Sequence, residues 1–323
     1  MSQHSPSQER WPVKFPVGAI SQKRGKECLA RQRESPIYET EGWMRAGIRH
    51  PRAVSRSVTI LAMRQTAWVA GLTVAALGAY VVTPLAQAVG DPGSPAAKRG
   101  VPFNGTAAVG ALFTSSGGRL GARFCTASVV SSPAENLLIT AAHCLEGKSL
   151  SPAGSIIFAP GYHRGKFPHG TWIIRAIFVD SAWAENQNPN DDVAFLIAGR
   201  AGTRIQRHTG AEILKTHQPS QVVQVIGYPD TTNRPITCTA PARNFDHARE
   251  MVFDCDNYTD GTSGGPFLAH VNRKTGNGWV IGVIGGYEEG GVTPNVSYSP
   301  RFFSAILALY KTATSASTAS LTG

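Results

Sequence analysis

The sequence predicts an all-β fold, and three observations support this class. Residues 89–323 consist mostly of short apolar or alternating runs separated by Gly, Pro, Asn and Asp. Many short strands at such spacing are typical of β-barrels and β-sandwiches. Only one helical pattern stands out, close to the end of the chain. These 235 residues are enough for one large or two small domains with a real core.

Ten segments carry the strand prediction. Each is short and apolar or alternating, and turn residues separate it from the next. In chain order they are 109–113, 124–130, 137–140, 156–159, 172–179, 193–198, 222–227, 251–253, 266–269 and 279–284.

The single helix is predicted over about residues 300–312. Ser299 can cap it, and Pro300 suits its first turn. Its apolar residues form one stripe: Phe302, Phe303, Ile306, Leu309 and Tyr310. The small, polar residues after this stripe predict a disordered tail.

The chain before residue 89 carries targeting features. Residues 1–62 are polar and basic and do not read as a packed domain, so they are assigned no function; Met63 or Met44 is a candidate start. Residues 63–88 resemble a signal peptide, because an apolar run at 67–82 follows several arginines and precedes the A-x-A site that ends at Ala88. This predicts secretion. The alternative is an uncleaved membrane anchor that displays the rest of the chain outside the cell.

The positive charge of the chain is concentrated before this cleavage site. Residues 1–64 hold 12 of the 31 Lys and Arg but 5 of the 21 acidic residues, so the remainder carries a net charge of only +3. A nucleic-acid surface needs clustered cations. The remaining Lys and Arg are scattered, so no nucleic-acid partner is predicted.

Two short motifs contain a candidate base and a candidate nucleophile: T-A-A-H-C at 140–144 and G-T-S-G-G-P at 261–266. A serine hydroxyl needs a nearby imidazole to accept its proton and N–H groups to hold the oxyanion. His143 follows an apolar strand and precedes Cys144, which could pin its loop and fix the ring as a general base requires. Ser263 is the candidate nucleophile. Alone, a structural histidine and a simple tight turn would explain the two motifs.

A third member should be a carboxylate that orients the imidazole. The segment N-D-D-V-A-F-L at 190–196 offers two acids. Asp192 is preferred to Asp191, because it adjoins the apolar run and an acid placed against a buried strand needs a partner. The alternative is that both acids cap a loop.

Glycines around Ser263 have a mechanical explanation. Gly261 and Gly264 can adopt the dihedrals that turn backbone N–H groups toward a substrate carbonyl. The N–H groups of Gly261 and Ser263 are therefore the predicted oxyanion hole. A phosphate-binding loop is the competing interpretation, but the lysine of that motif is missing.

Four cysteines remain after the predicted cleavage site: Cys125, Cys144, Cys238 and Cys255. An even set without C-x-x-C spacing suits two disulfides in an exported protein better than zinc. Three pairings are open. We favour Cys125 with Cys144 and Cys238 with Cys255, because each pair is close in sequence and lies beside a reactive motif; buried free thiols are the alternative.

In the order His, Asp, Ser, these motifs resemble the chymotrypsin/trypsin-like serine peptidases, most closely their secreted bacterial branch. The resemblance spans roughly residues 107–310 and includes a later G-V-I-G-G at 282–286. It implies two six-stranded antiparallel β-barrels, at about 105–200 and 215–298, with the active site between them. It also implies an acyl-enzyme mechanism in which Ser263 is the nucleophile, His143 the base and then acid, and Asp192 the orienter.

One departure from the family concerns activation. Trypsin-like zymogens carry an Asp directly before the nucleophile, which binds a newly freed N-terminus; Thr262 stands at that position. No cleavage sequence of the I-V-G-G type lies between Val89 and Val109 either. We therefore expect an oxyanion loop that is held by local hydrogen bonds and the Cys238–Cys255 bridge.

The resemblance leaves cleavage specificity open. It places Asn257 at the base of the specificity pocket and Gly285 and Gly286 along its wall, where they could pair with the substrate backbone. Glutamate specificity is disfavoured, because Val283 and Ile284 stand where glutamate-specific relatives tend to carry a His. Three nearby acids could select Lys or Arg if the loop turned one inward: Asp254, Asp256 and Asp260.

The predicted function is secreted serine endopeptidase, with protein or peptide substrates and protein inhibitors as further partners. No metal or organic cofactor is implied. The rival from another class is a secreted, non-catalytic binding protein on the same fold.

Overall fold

The structure is a computed structural model that describes residues 98–152 and 154–319. The predicted N-terminal extension, the signal peptide with its cleavage site, and residues 320–323 lie outside the described residues. Among the described helices, none is long and apolar enough to cross a membrane.

The described part of the chain contains fourteen strands, three α-helices and four short 3-10 helices. The strands are β1 (Val101–Pro102), β2 (Val109–Ser116), β3 (Arg119–Val130), β4 (Leu137–Thr140), β5 (Ile156–Pro160), β6 (Trp172–Val179), β7 (Ala194–Gly199), β8 (Ile213–Leu214), β9 (Val222–Gly227), β10 (Ile236–Phe245), β11 (Glu250–Asp254), β12 (Pro266–Ala269), β13 (Trp279–Val283) and β14 (Val296–Pro300). The helices are α1 (Ser181–Asn186), α2 (Ile205–Thr209) and α3 (Ser304–Ala319).

The first half forms a closed antiparallel barrel in the order β2, β3, β4, β7, β6, β5. Successive side chains of each strand belong to two different apolar clusters, because they point to opposite faces of the strand. Leu112, Phe158 and Leu196 belong to one buried cluster, whereas Val109 and Phe195 belong to another that also contains residues of the second half. Apolar side chains therefore pack on both faces of the barrel wall, and residues of the second half cover part of one face.

The second half is a sheet in the order β14, β11, β10, β9, β12, β13, β8, with β1 paired to β10. Just beyond β13, the Gly285 amide donates to the Tyr298 carbonyl of β14 at 3.0 Å. The Val283 amide also donates to the Ser299 hydroxyl at 3.0 Å. These bonds bring β13 and β14 together, so the sheet curls around its own apolar core. The predicted all-β fold class is confirmed.

The C-terminal helix differs from its prediction. Ser299 and Pro300 do not start it, because both pair with β11 as residues of β14. The helix runs over Ser304–Ala319, so residues 312–319 of the predicted disordered tail are helical. Ala313 is buried there, which extends the apolar stripe by another turn.

Helix α3 joins the second half back to the first. It packs on β4, β6 and β7. Its Tyr310 hydroxyl donates to the Ser131 carbonyl at 2.7 Å, and its ring contacts Phe195 at 5.6 Å between centroids. Burial of Ile306 contributes roughly 2 kcal/mol to holding the helix there.

Candidate active site

The His143 loop begins where β4 ends and forms a short helical turn over His143–Leu145. A disulfide joins Cys144 to Cys125 on β3, and a second joins Cys238 to Cys255, as the favoured pairing predicted. Because Cys144 is the next residue, the first bridge anchors the backbone that carries the imidazole.

Asp192 is fully buried, and both of its carboxylate oxygens contact His143. Oδ2 lies 2.7 Å from the ring Nδ1, and Oδ1 accepts the backbone N–H of His143 at 2.9 Å. A third bond comes from the second half, where the Gly286 amide donates to Oδ2 at 2.8 Å. The neighbouring Asp191 instead accepts a hydrogen bond from Asn188 at 2.6 Å. The structure thus brings Asp192, and not Asp191, onto His143.

The environment of His143 raises its pKa above the ordinary 6.5. Burial alone would lower this pKa, but the hydrogen bond to Asp192 and the charge of Asp192 more than offset it. Glu289 and Glu146 raise it further through their charges. The imidazolium form, which a general base reaches during catalysis, is therefore stabilised.

Ser263 lies in the loop between β11 and β12, where its carbonyl accepts the Thr126 amide of the first barrel at 2.8 Å. The next residue explains how the two halves come so close. Gly264 has a φ of +76°, and a Cβ there would lie 2.1 Å from the Thr140 hydroxyl and 2.3 Å from the Thr126 carbonyl. Only glycine fits this approach. Among the described residues, the Ser263 hydroxyl has no hydrogen-bond partner.

Two amides of the Ser263 loop point to no acceptor in the described part of the chain, namely those of Gly261 and Ser263. The amides between and after them are all used. Thr262 donates to the Thr259 carbonyl at 3.1 Å, Gly264 to Ile284 at 2.8 Å, and Gly265 to Thr262 at 2.9 Å. The two free amides are those that the sequence suggested as oxyanion donors.

Thr126 supports this loop, and sequence reasoning did not single it out. Its buried hydroxyl donates to the Gly261 carbonyl at 2.9 Å and accepts the Tyr228 amide at 2.9 Å. Thr140 in turn donates to the Thr126 carbonyl at 2.7 Å. A threonine in an apolar strand has an ordinary sequence pattern, so no sequence signal could have found this role.

A cleft of about 370 Å³ opens beside Ser263. Its lining includes three acids and no Lys, Arg or His: Asp230, Asp260 and Glu289. Tyr258 and Ile284 line it as well, and the Tyr258 hydroxyl is bonded to the Val225 carbonyl at 2.8 Å.

Three residues assigned to substrate binding lie outside this cleft lining. The Asn257 side chain turns away and donates to the Gly100 carbonyl at 3.1 Å. The amides of Gly285 and Gly286 are occupied by the Tyr298 carbonyl and by Asp192. Gly286 therefore contacts the orienting carboxylate and not the cleft.

The side chains of Cys125, His143 and Cys144 cluster within 4.8 Å. Such a group could suggest a metal site, since thiolates and imidazoles are common ligands. Both cysteines are consumed by their disulfide, so neither offers a thiolate. The cluster serves to hold His143 in place.

The barrel, the second sheet and the site between them define a chymotrypsin-like fold. Three solved structures are similar to it. Protease Anisep from Arthrobacter nicotinovorans has a TM-score of 0.56 and 24% identity, over 66% of this chain and 98% of that one. The thermostable serine protease AL20 from an extremophilic microorganism has a TM-score of 0.55 and 26% identity, over 65% of this chain and 98% of that one. A Glu endopeptidase solved in complex with MPD has a TM-score of 0.53 and 16% identity, over 68% of this chain and 97% of that one.

No protein-family model matches the chain, and no curated protein matches it. The solved structures nevertheless confirm the resemblance to the chymotrypsin-like serine peptidases. AL20, at 26% identity, supports a serine peptidase at the level of the family. Anisep, at 24% identity, and the Glu endopeptidase, at 16%, bear on the fold alone.

Proposed function

We propose that this protein is a secreted serine endopeptidase. The observation that carries the proposal is the buried Asp192 carboxylate, which binds both the ring and the backbone of His143. The Ser263 loop lies against the same segment, because Gly264 packs on Thr140. Such a pair holds one ring nitrogen of an imidazole and leaves the other free to accept a proton. The similarity to solved serine proteases supports the same conclusion.

In the proposed mechanism, the Ser263 oxygen attacks the scissile carbonyl while His143 Nε2 takes the hydroxyl proton. The resulting oxyanion accepts hydrogen bonds from the free amides of Gly261 and Ser263. The imidazolium then gives its proton to the leaving amine, which leaves an acyl-enzyme. A water molecule then attacks the acyl-enzyme while His143 takes its proton. The imidazolium returns a proton to the Ser263 oxygen, and the new carboxyl end of the peptide is released. Asp192 orients the ring throughout and stabilises its charged form.

We infer a preference for a cationic side chain in the cleft beside Ser263. The three acids of this cleft give it a negative potential without a compensating cation in its lining. A Lys or Arg residue of a peptide would be attracted, and an acidic residue repelled. This assignment uses Asp260 from the candidates raised by the sequence, together with Asp230 and Glu289.

Export fits this role. The signal-peptide pattern at 63–88 predicts it, and the two disulfides require an oxidising compartment to persist. The N-terminal residue of the exported protein is the direct measurement. A first residue near Val89 agrees with cleavage after Ala88, whereas retention of 67–82 would favour the anchored form.

The function is tested with protein that begins at Val89 and its Ser263→Ala variant. We expect a serine-directed phosphonate to label only the unmodified protein, and a diverse peptide library to be cleaved only by it. Labelling of neither protein, together with intact peptides, would favour the non-catalytic binding protein.

A further inference from the structure

Glu250 is a second buried carboxylate close to the Asp192–His143 pair. It lies at the first position of β11, and only 1% of its surface is exposed. Its Oε2 accepts the backbone N–H of Tyr287 at 2.9 Å. Burying an acid is costly unless it makes such bonds, so its position calls for an explanation.

The Tyr287 amide is directly next in the chain to the amide that holds Asp192. Gly286 donates to Asp192 Oδ2, and Tyr287 donates to Glu250 Oε2. The intervening backbone has a φ of +83° at Gly286, and a Cβ there would lie 2.8 Å from Glu250 Oε2. Two carboxylates on different halves of the fold thus share one short backbone segment.

We propose that Glu250 is a positioning residue for Asp192 and His143. Its carboxylate fixes the peptide between Gly286 and Tyr287. The adjoining peptide, between Gly285 and Gly286, supplies the third hydrogen bond to Asp192. Removing the acceptor frees the segment and weakens the bond that fixes the carboxylate against the imidazole. Glu250 acts on Asp192 and His143 only through Gly286. That this changes catalysis rests on the proposed function.

The charged groups around the Glu250 carboxylate are Asp246, Arg249 and Asp192. Burial raises the pKa of Glu250, and the Tyr287 amide partly opposes this rise. An acceptor oxygen is present in either protonation state. The hydrogen bond, and not a fixed negative charge, is therefore what the experiment must isolate.

The variants are Glu250→Met, which keeps the side-chain length without an acceptor, and Glu250→Gln, which restores one. Glu212 offers a matched control. It is also fully buried and accepts a backbone amide, that of Gly278 at 2.6 Å, but at the junction of β8 with β13. Glu212→Met should lower stability comparably and leave the active site unchanged.

Two readouts separate positioning from general destabilisation. In Glu250→Met we expect kcat to fall at least about tenfold while KM stays within about twofold. The pKa of the His143 ring, followed by NMR without substrate, should fall by about half a unit or more. Glu250→Gln should restore both, and Glu212→Met should move neither.

Equal behaviour of Glu250→Met and Glu212→Met in the ring titration would overturn the proposal, as would failure of Glu250→Gln to rescue. If Glu250→Met does not fold, amide exchange in the unmodified protein decides. The Gly286 and Tyr287 amides should exchange at least about tenfold more slowly than that of exposed Glu288, and fast exchange at either would overturn the proposal. Because titration and exchange need no substrate, they stand apart from any failure of the peptidase assignment.

Discussion

Gly286 donates its backbone N–H to the same Asp192 oxygen that contacts the His143 ring, at 2.8 Å and 2.7 Å respectively. The glycine belongs to the second half of the fold, and the aspartate to the first. The carboxylate is therefore oriented by both halves at once, and its rotation would break bonds to each. This makes the geometry of the base depend on how the two halves are docked.

Asp192→Asn should lower kcat by about 10³- to 10⁴-fold, because an amide cannot orient the correct tautomer or stabilise the imidazolium. Asp191→Asn is the matched control, since Asp191 is also buried but binds Asn188. Steady-state kinetics on one peptide would measure both. A larger loss in Asp191→Asn would contradict the assignment of the orienter.

The raised pKa of His143 sets the pH dependence. Catalysis needs the neutral ring, so the acid limb of the kcat/KM profile should lie above pH 6.5. For stability the sign is opposite. Because the folded pKa exceeds the unfolded one, the stabilisation is fully present below about pH 6.5 and is lost as the pH rises through the folded value. Chemical unfolding at several pH values measures the change in stability. An acid limb of kcat/KM below pH 6 would contradict a raised pKa of His143.

Thr262→Ala should retain substantial activity. The Thr262 hydroxyl donates to the Thr259 carbonyl at 2.7 Å, so it contributes a local hydrogen bond to the loop and no charge. We expect a loss of about 1 kcal/mol in the free energy of unfolding, with a less than tenfold fall in kcat/KM. Complete inactivation of a folded variant would argue for an activation switch at this position.

Asp260→Asn should weaken the preference for Lys and Arg peptides. Removing one of three negative charges from the cleft should lower their kcat/KM about three- to tenfold relative to neutral peptides. Asp254→Asn is the control, because Asp254 is exposed but pairs with Arg243 outside the cleft lining. A preference for Glu in the unmodified protein would refute the inferred specificity.

The two disulfides should stabilise the fold similarly, because they close loops of similar length, with sequence separations of 19 and 17. Replacing either pair by serines should cost about 3 kcal/mol. Only the Cys125–Cys144 pair adjoins the imidazole, so only its loss should alter the His143 titration. Identical titrations in both double variants would exclude a role of this bridge in holding the ring.

Some elements of the fold were readable from the sequence because local pattern and burial agree. The strands at 172–179, 222–227 and 266–269 match their predicted bounds. Strand β10 was missed, because it contains Pro241 and because its exposed residues Thr239, Pro241 and Arg243 alternate with small buried ones. The start of α3 was misplaced because Ser299 and Pro300 fit a helix cap locally, whereas pairing with β11 determines their structure.

The candidate site divides in the same way. His143, Asp192 and Ser263 lie in motifs whose chemistry can be read from a few adjacent residues. The contacts of Gly286 and Glu250 join positions 94 and 37 residues apart in sequence, and nothing local predicts them. Asn257 was placed in the pocket by counting residues back from the nucleophile, and this placement failed. Such a count does not reveal which way the loop turns at Asn257, whose φ is +79°.

Helix α3 follows both halves in the chain and packs on the first of them. A ribosome therefore makes α3 after every residue of the proposed triad. Until it does, the apolar residues of β4, β6 and β7 that α3 covers stay exposed to water on the growing chain.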